Sequence, residues 1–177
     1  MSEKMRTIMS SQDIDLAVRR IGLQILEKNQ ETKSLAIVGI HTCGVFLAKR
    51  LRDILVSQGR EVLYGSLDIN LYRDDWSLTT QNPVVRTTDI AFDVNATDLV
   101  LVDDVIFTGR TIRAAMEAIM DYGRPATIQL AVLVDRGGRE LPIQADYVGM
   151  QAVILAEERI QVRLAENADS KMVVVER

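Results

Sequence analysis

Cysteine and histidine are almost missing: Cys43 and His41 are the only ones in 177 residues. Neither a disulfide framework nor a Cys/His zinc site can be assembled from one of each, and a reducing compartment fits. Long hydrophobic runs are missing too. The N-terminal stretch Met1 to Gln12 is polar, and no apolar segment approaches the roughly 18 to 20 residues that span a bilayer. A cytoplasmic protein with no membrane partner is expected. No charge of one sign dominates: 21 basic against 25 acidic residues leave a formal net charge of -4, which gives no overall drive toward nucleic acid and leaves room only for a local basic patch. The chain has no Gly-x-Gly-x-x-Gly fingerprint and no Gly-Lys-Thr/Ser ending to a glycine loop, so dinucleotide binding and Walker-type ATP hydrolysis fit poorly. Internal repeats, low-complexity tracts and interdomain linkers are also absent.

What is present is an ordinary globular composition, 47% hydrophobic and 26% charged, at a length suited to one domain spanning residues 1–177. Ile14, Val18, Ile21 and Ile25 recur at helical spacing, which predicts an amphipathic helix from Ser11 to about Lys28. Leu35 to Val38 reads as a short strand followed by a helix through Val45, Ala48, Leu51 and Leu55. Near-alternation from Glu61 predicts a strand reaching Arg73. The polar, Pro83-broken stretch that follows, to Asp89, has the length of a functional flap or of an idle surface loop. Asp98 to Val102 is the most uniformly apolar run and reads as a central strand. A helix from Thr111 to Asp121 and a buried strand from Thr127 to Val134 come next, while Val173 to Val175 reads as an edge strand at best. Alternation of this kind is the pattern of an α/β fold, a parallel sheet with right-handed crossovers and helices on both faces.

The chemistry is concentrated where the central strand ends. Ligands of open parallel sheets bind at the C-terminal ends of strands, and there the chain reads Asp103, Asp104, Val105, Ile106, Phe107, Thr108, Gly109, Arg110, Thr111. Gly109 lets backbone N–H groups turn toward an anion, Thr108 and Thr111 offer hydroxyls, and the next helix presents its positive end. Two ionised carboxylates about 4 Å apart repel by roughly 4 kcal/mol at an effective dielectric of 20. Asp103 and Asp104 therefore need a cation or hydroxyl donors, or must point apart. A phosphate loop directly after paired acids describes a phosphorylated sugar. Taken alone, an acid pair after an apolar strand is equally well a metal ligand or a helix cap.

The whole stretch Leu99 to Thr111 resembles the phosphoribosyl-pyrophosphate (PRPP) signature of type I phosphoribosyltransferases, in the form found in the bifunctional PyrR family. Val38 to Val45, Leu67 to Asp75, Leu130 to Gly137 and Glu140 to Gly149 resemble PyrR segments in the same order, so the likeness covers most of the chain from Ile14 to Leu164. The resemblance implies the type I phosphoribosyltransferase fold, a central parallel sheet flanked by helices with a small hood. It implies a uracil phosphoribosyltransferase that makes uridine monophosphate (UMP) and pyrophosphate with Mg²⁺ carried by PRPP. Asp103 and Asp104 become the catalytic, ribose-binding acids that meet the metal mainly through PRPP, and Val105 to Thr111 the 5′-phosphate loop. Thr42 and Cys43 form the pyrophosphate turn, Arg136 and the backbone near Ile160 lie by the base, and Tyr72 to Thr88 is the flap, with Arg73 a catalytic pyrophosphate contact. A homo-oligomer, dimer or larger, is implied as well.

The likeness has gaps. The family commonly has arginine where this chain has Cys43, which removes a charged donor and leaves Arg73 to compensate; the plain alternative for Cys43 is a small turn residue whose backbone makes the contacts. His41 has no visible acid or nucleophile partner and reads as exposed loop filler. Members that bind the pyr mRNA leader carry histidines where this chain has Leu23 and Gly138. Arg19, Arg20 and Arg139 could still make an RNA-binding basic surface, or simply be solvated. Two other readings stay open: a nucleotide-sensing RNA attenuator with little catalysis, and a transferase for a purine base.

Overall fold

The structure, a computed structural model, describes residues 5–75, 86–164 and 171–177. Five strands form one parallel sheet in the order β3-β2-β4-β5-β6. They are β2 (Leu35–Ile40), β3 (Leu63–Leu67), β4 (Asp98–Ile106), β5 (Thr127–Asp135) and β6 (Tyr147–Gln151). Helices α1 (Ser11–Lys28) and α2 (Cys43–Ser57) cover one face and α3 (Arg110–Met120) the other. The two-residue period of β4 feeds both cores: Val100 and Val102 join the cluster under α1 and α2, while Leu99 and Leu101, and beyond the break in pairing at Asp104 also Ile106, join the cluster under α3. All five side chains are essentially inaccessible, which is why this run reads as uniformly apolar.

Helix α1 starts where its sequence says it should. The Ser10 hydroxyl accepts the Asp13 N–H at 3.2 Å and the Asp13 carboxylate accepts the Ser10 N–H at 2.9 Å, a reciprocal capping box. Its inward face carries Ile14, Ala17, Val18, Ile21, Gly22 and Ile25. A second sheet, antiparallel and three-stranded in the order β1-β8-β7, is built from β1 (Arg6–Met9), β7 (Arg159–Arg163) and β8 (Met172–Glu176). Among the described residues no helix is long and apolar enough to cross a membrane.

Four elements differ from the sequence-based expectation. Strand β4 does not stop at Val102; pairing with β5 continues to Ile106 opposite Asp135, so Asp103 and Asp104 stand on the strand's end. Strand β3 stops at Leu67 instead of running to Arg73, because the Asp68 carboxylate takes the Asn70 N–H at 2.9 Å and turns the chain into a 3-10 turn at Asn70–Tyr72. Strand β1 lies within the N-terminal stretch read only as polar. Val173 to Val175 lie on the middle strand of the small sheet, not on an edge, and are buried. Of the expected flap, residues 76–85 lie outside the described residues.

The order of the main sheet decides where a ligand can sit. After β2 the chain steps outward to β3, and after β4 it steps the other way to β5 and β6. The C-terminal ends of β2 and β4 are therefore neighbours with connections leaving in opposite directions, and that geometry opens a crevice.

Candidate active site at the end of the central strand

One side of the crevice is the turn from β4 into α3, and its two kinds of backbone group are treated differently. Its carbonyls are taken. Ile106 O accepts the Arg136 N–H at 3.0 Å, Phe107 O accepts from the Arg139 guanidinium at 3.0 Å, and Thr108 O accepts the N–H groups of Glu140 and Leu141 at 2.9 and 3.2 Å. Its amides are not. The N–H groups of Phe107, Thr108, Gly109 and Thr111 meet no acceptor among the described residues, and Arg110 N–H reaches only the Thr108 hydroxyl at 3.3 Å. Gly109 sits at the helix N-cap with φ of 92°, a left-handed conformation that costs a side-chain-bearing residue, and no side chain caps α3. Loose amides at a helix N-terminus, held by a turn whose carbonyls are already tied down, form a ready anion cradle.

The paired acids precede that turn directly. Asp103 Oδ1 accepts the Asp104 N–H at 2.9 Å and Asp104 Oδ1 accepts the Val105 N–H at 2.8 Å. Asp103 is only 7% exposed. Burial, reinforced by the charge of Asp104, pushes its carboxyl well above the ordinary carboxylate range. The repulsion anticipated from sequence is thus present; the Asp104 N–H offsets it only in part, and no Lys or Arg among the described residues pairs with either acid. No cluster of three or more His, Cys, Asp or Glu side chains able to hold a metal exists among the described residues. Two carboxylates are too few for a resident ion, and they suit a cation that arrives on its substrate.

The opposite side is the turn from β2 into α2. The His41–Thr42 peptide is cis, and His41 N–H donates to Leu67 O at 3.0 Å. This turn is sealed against β4: a Cβ on Gly44 would lie 2.3 Å from Val102 O and 3.1 Å from Asp103 Cα. The Cys43 thiol lies within reach of the Val162 carbonyl at 3.8 Å. Burial raises its pKa to about 12, the charges of Asp104 and Asp103 add to the rise, and Arg86 opposes it. A thiolate nucleophile is excluded at neutral pH.

The structure brings Cys43, next to Thr42, against Asp103 and Asp104, which lead directly into the Val105–Thr111 segment. Other expected residues lie as follows. Arg136 stacks its guanidinium 4.0 Å from the centre of the Phe107 ring. Ile160 lies on β7, paired with Val175 of the small sheet. Arg110 is held between Glu140 and Asp74, both at 2.6 Å. Arg73 is not brought to the acid pair: its guanidinium grips Asp75 at 2.8 and 2.6 Å. Arg20 donates to the carbonyls of Val148 and Gly149, and Arg139 to Asp135, Phe107 O and Ile143 O, while Arg19 is exposed on α1. His41 is half-buried, with Nε2 at 3.3 Å from Thr87 O, and is therefore not the exposed filler that its isolation suggested.

Sequence reasoning missed Arg86. It falls in the polar stretch read as a flap and belongs to no recognisable motif, and only the fold returns it to the neighbourhood of Cys43.

Residues 6–167 match the family described as the phosphoribosyl transferase domain. The chain is 52% identical over 168 residues to the bifunctional protein PyrR of Listeria welshimeri, covering 93% of this chain and 92% of that one. It is 49% identical over 175 residues to the protein of the same name from Caldicellulosiruptor saccharolyticus, covering 98% and 96%. Among solved structures it resembles the hypoxanthine phosphoribosyltransferase of Trypanosoma cruzi, with a TM-score of 0.73 at 17% identity over 97% of this chain and 96% of that one. A hypoxanthine-guanine phosphoribosyltransferase of Bacillus anthracis gives a TM-score of 0.71 at 16% identity, covering 99% of each chain. At such identity the likeness to these structures speaks for the fold alone.

Proposed function

The chain belongs to the PyrR family of phosphoribosyl transferase domains, and on that premise we propose that it transfers the phosphoribosyl group of PRPP to uracil in the cytoplasm, yielding UMP and pyrophosphate. The observation that carries this reading is the turn after β4, where the amides of Phe107, Thr108, Gly109 and Thr111 have no acceptor among the described residues while the carbonyls are bonded, beside two acids that meet no cation among those residues. Phe107, Thr108, Gly109 and Thr111 hold the 5′-phosphate of the sugar through backbone N–H groups. Asp103 and Asp104 accept the ribose hydroxyls, and their negative charge favours the oxocarbenium-like transition state as the bond from C1 to pyrophosphate breaks. A uracil ring nitrogen forms the new bond to C1 and loses its proton, and the bonding pair leaves with pyrophosphate.

Mg²⁺ belongs to the substrate in this scheme. Carried in on the diphosphate, it would be held by Asp103 and Asp104 and would offset the crowding of charge at Asp103. Arg136, stacked on Phe107, and the Ile160 backbone stand on the side where the base is expected. Holding both reactants in one crevice contributes more to rate than any single proton transfer here. The test is PRPP consumption against a panel of uracil, hypoxanthine, adenine and orotate. Turnover with uracil alone supports the reading; turnover with a purine and none with uracil overturns the choice of base.

The relatives are named bifunctional, and the second activity proposed for this chain is UMP-dependent binding to a pyr mRNA leader, by a dimer or larger assembly. Only Arg19 of the three arginines put forward from sequence has no protein partner among the described residues, so RNA contacts in this chain rest on fewer cations than the sequence suggested. A gel shift across salt, with and without UMP, measures that activity, and light scattering measures the assembly.

A further inference from the structure

The arginines around the crevice are nearly all occupied. Arg73 is paired with Asp75, Arg110 with Asp74 and Glu140, and Arg139 with Asp135. Arg136 lies flat on Phe107. Arg86 differs from the paired arginines and from the stacked Arg136: among the described residues its guanidinium has no carboxylate, hydrogen-bond or ring partner, although its backbone is firmly held. Its N–H donates to Asp68 Oδ2. The Thr88 hydroxyl accepts the Asp68 N–H at 3.0 Å, and Ser66 and Asp89 exchange backbone bonds at 2.8 and 2.9 Å. Thr87 O meets the His41 ring at 3.3 Å. Residues 86–89 thus run beside the end of β3, held by a single antiparallel bridge between Ser66 and Asp89, and meet the β2–α2 turn at His41.

That arrangement places an anchored backbone, and a cation unpaired among the described residues, beside the β2–α2 turn, where Thr42 and Cys43 carry no positive charge. The turn His41–Cys43 faces two acids across a tightly packed junction and offers a neutral thiol, so a highly charged anion settling there needs positive charge from elsewhere. We infer that Arg86 supplies it, as the residue that contacts the diphosphate end of the donor over the β2–α2 turn, with His41 fixing the Arg86 segment in place. The electrostatic influence of Arg86 on the Cys43 thiol, opposed to that of the two acids, is in line with this placement. The assignment rests on the phosphoribosyl-transfer reading and moves the diphosphate contact from Arg73 to Arg86.

The experiment is calorimetric titration of the full chain and its Arg86→Ala and Arg86→Lys variants, first with magnesium pyrophosphate and then with UMP, which carries a 5′-phosphate and no diphosphate. Arg86→Ala should weaken pyrophosphate binding by about tenfold or more, Arg86→Lys should recover part of it, and UMP affinity should stay within about twofold in both. Equal pyrophosphate affinity in the parental chain and Arg86→Ala overturns the inference, as does a parallel loss of UMP binding, which would mark a structural role. Turnover of PRPP with uracil by the parental chain reports separately on the underlying reading, so failure of one is told apart from failure of the other.

Discussion

The two strand-to-helix turns at the C-terminal edge of the sheet face the same crevice and are built on opposite plans. The turn after β4 is open: the amides of Phe107, Thr108, Gly109 and Thr111 lack acceptors among the described residues, Gly109 supplies a left-handed N-cap, and a Cβ there would meet nothing closer than 3.5 Å. The turn after β2 is closed: Gly44 lies against the β4 backbone, and Cys43 is partly buried with a thiol that does not ionise at neutral pH. In the proposed reading one turn holds an anion with its own backbone, and the other shapes a wall and takes its charge from a neighbouring segment. The difference teaches that a glycine after a strand has no single meaning. At one turn it frees amides for a ligand, and at the other it lets two strands' ends close on each other.

Breaking the closed turn should have the largest effect. Gly44→Ala puts a methyl 2.3 Å from a carbonyl oxygen of the central strand, and the backbone must move. We expect a loss of about 3 kcal/mol or more in urea unfolding, at the upper end for overpacking. Gly109→Ala should cost less, about 1 to 2 kcal/mol from its φ of 92°. It should nevertheless raise the PRPP concentration needed for half-maximal rate by about tenfold or more, because the amides are re-aimed. A Gly109→Ala variant with unaltered PRPP dependence would erase the distinction between the two turns.

The acid pair links them, and it gives a pH signature. The folded state holds the Asp103 carboxyl above its ordinary range, so folding favours its protonated form. The resulting contribution is fully present below the unfolded value, near pH 4, and is lost as pH rises through the folded value. Asp103→Asn should therefore raise the melting temperature at pH 7, with the gain vanishing toward pH 4, while transfer activity falls. Equal melting temperatures at pH 7 would contradict the buried, uncompensated charge. The smallest effect is expected at Cys43: with a thiol pKa near 12, alkylation by iodoacetamide at pH 8 should be slow, and Cys43→Ser should change turnover by less than about twofold. Rapid labelling would show that this turn is open as well.

How far the sequence discloses all this depends on the range of the forces involved. The central parallel strands and the three helices are legible because each apolar run or helical period, such as Ile14, Val18, Ile21 and Ile25, is contained in a short window. The cradle is legible for the same reason, since Asp103 to Thr111 is continuous. The small sheet is not: β1 becomes a strand only because β8, more than 160 positions later, pairs with it, and nothing local in Arg6–Met9 announces that. Arg73 and Arg86 invert for a related reason. Arg73 looks available in sequence and is taken by Asp75 two residues on, while Arg86 carries no motif and is positioned by the Asp68 carboxylate accepting its N–H, by Thr87 O at the His41 ring and by Asp89 pairing with the Ser66 backbone. Strand β4 also outran its apolar pattern, since pairing with β5 continues past Val102 into the acids.

The open turn is the centre of the account, and amide NMR tests it most directly. Titrating the labelled protein with UMP should shift the backbone N–H signals of Phe107, Thr108, Gly109 and Thr111 downfield and slow their hydrogen exchange, with uridine producing neither change and the Thr42 and Cys43 amides moving much less. Binding of UMP that leaves those four amides unmoved would contradict the claim that they are the phosphate site.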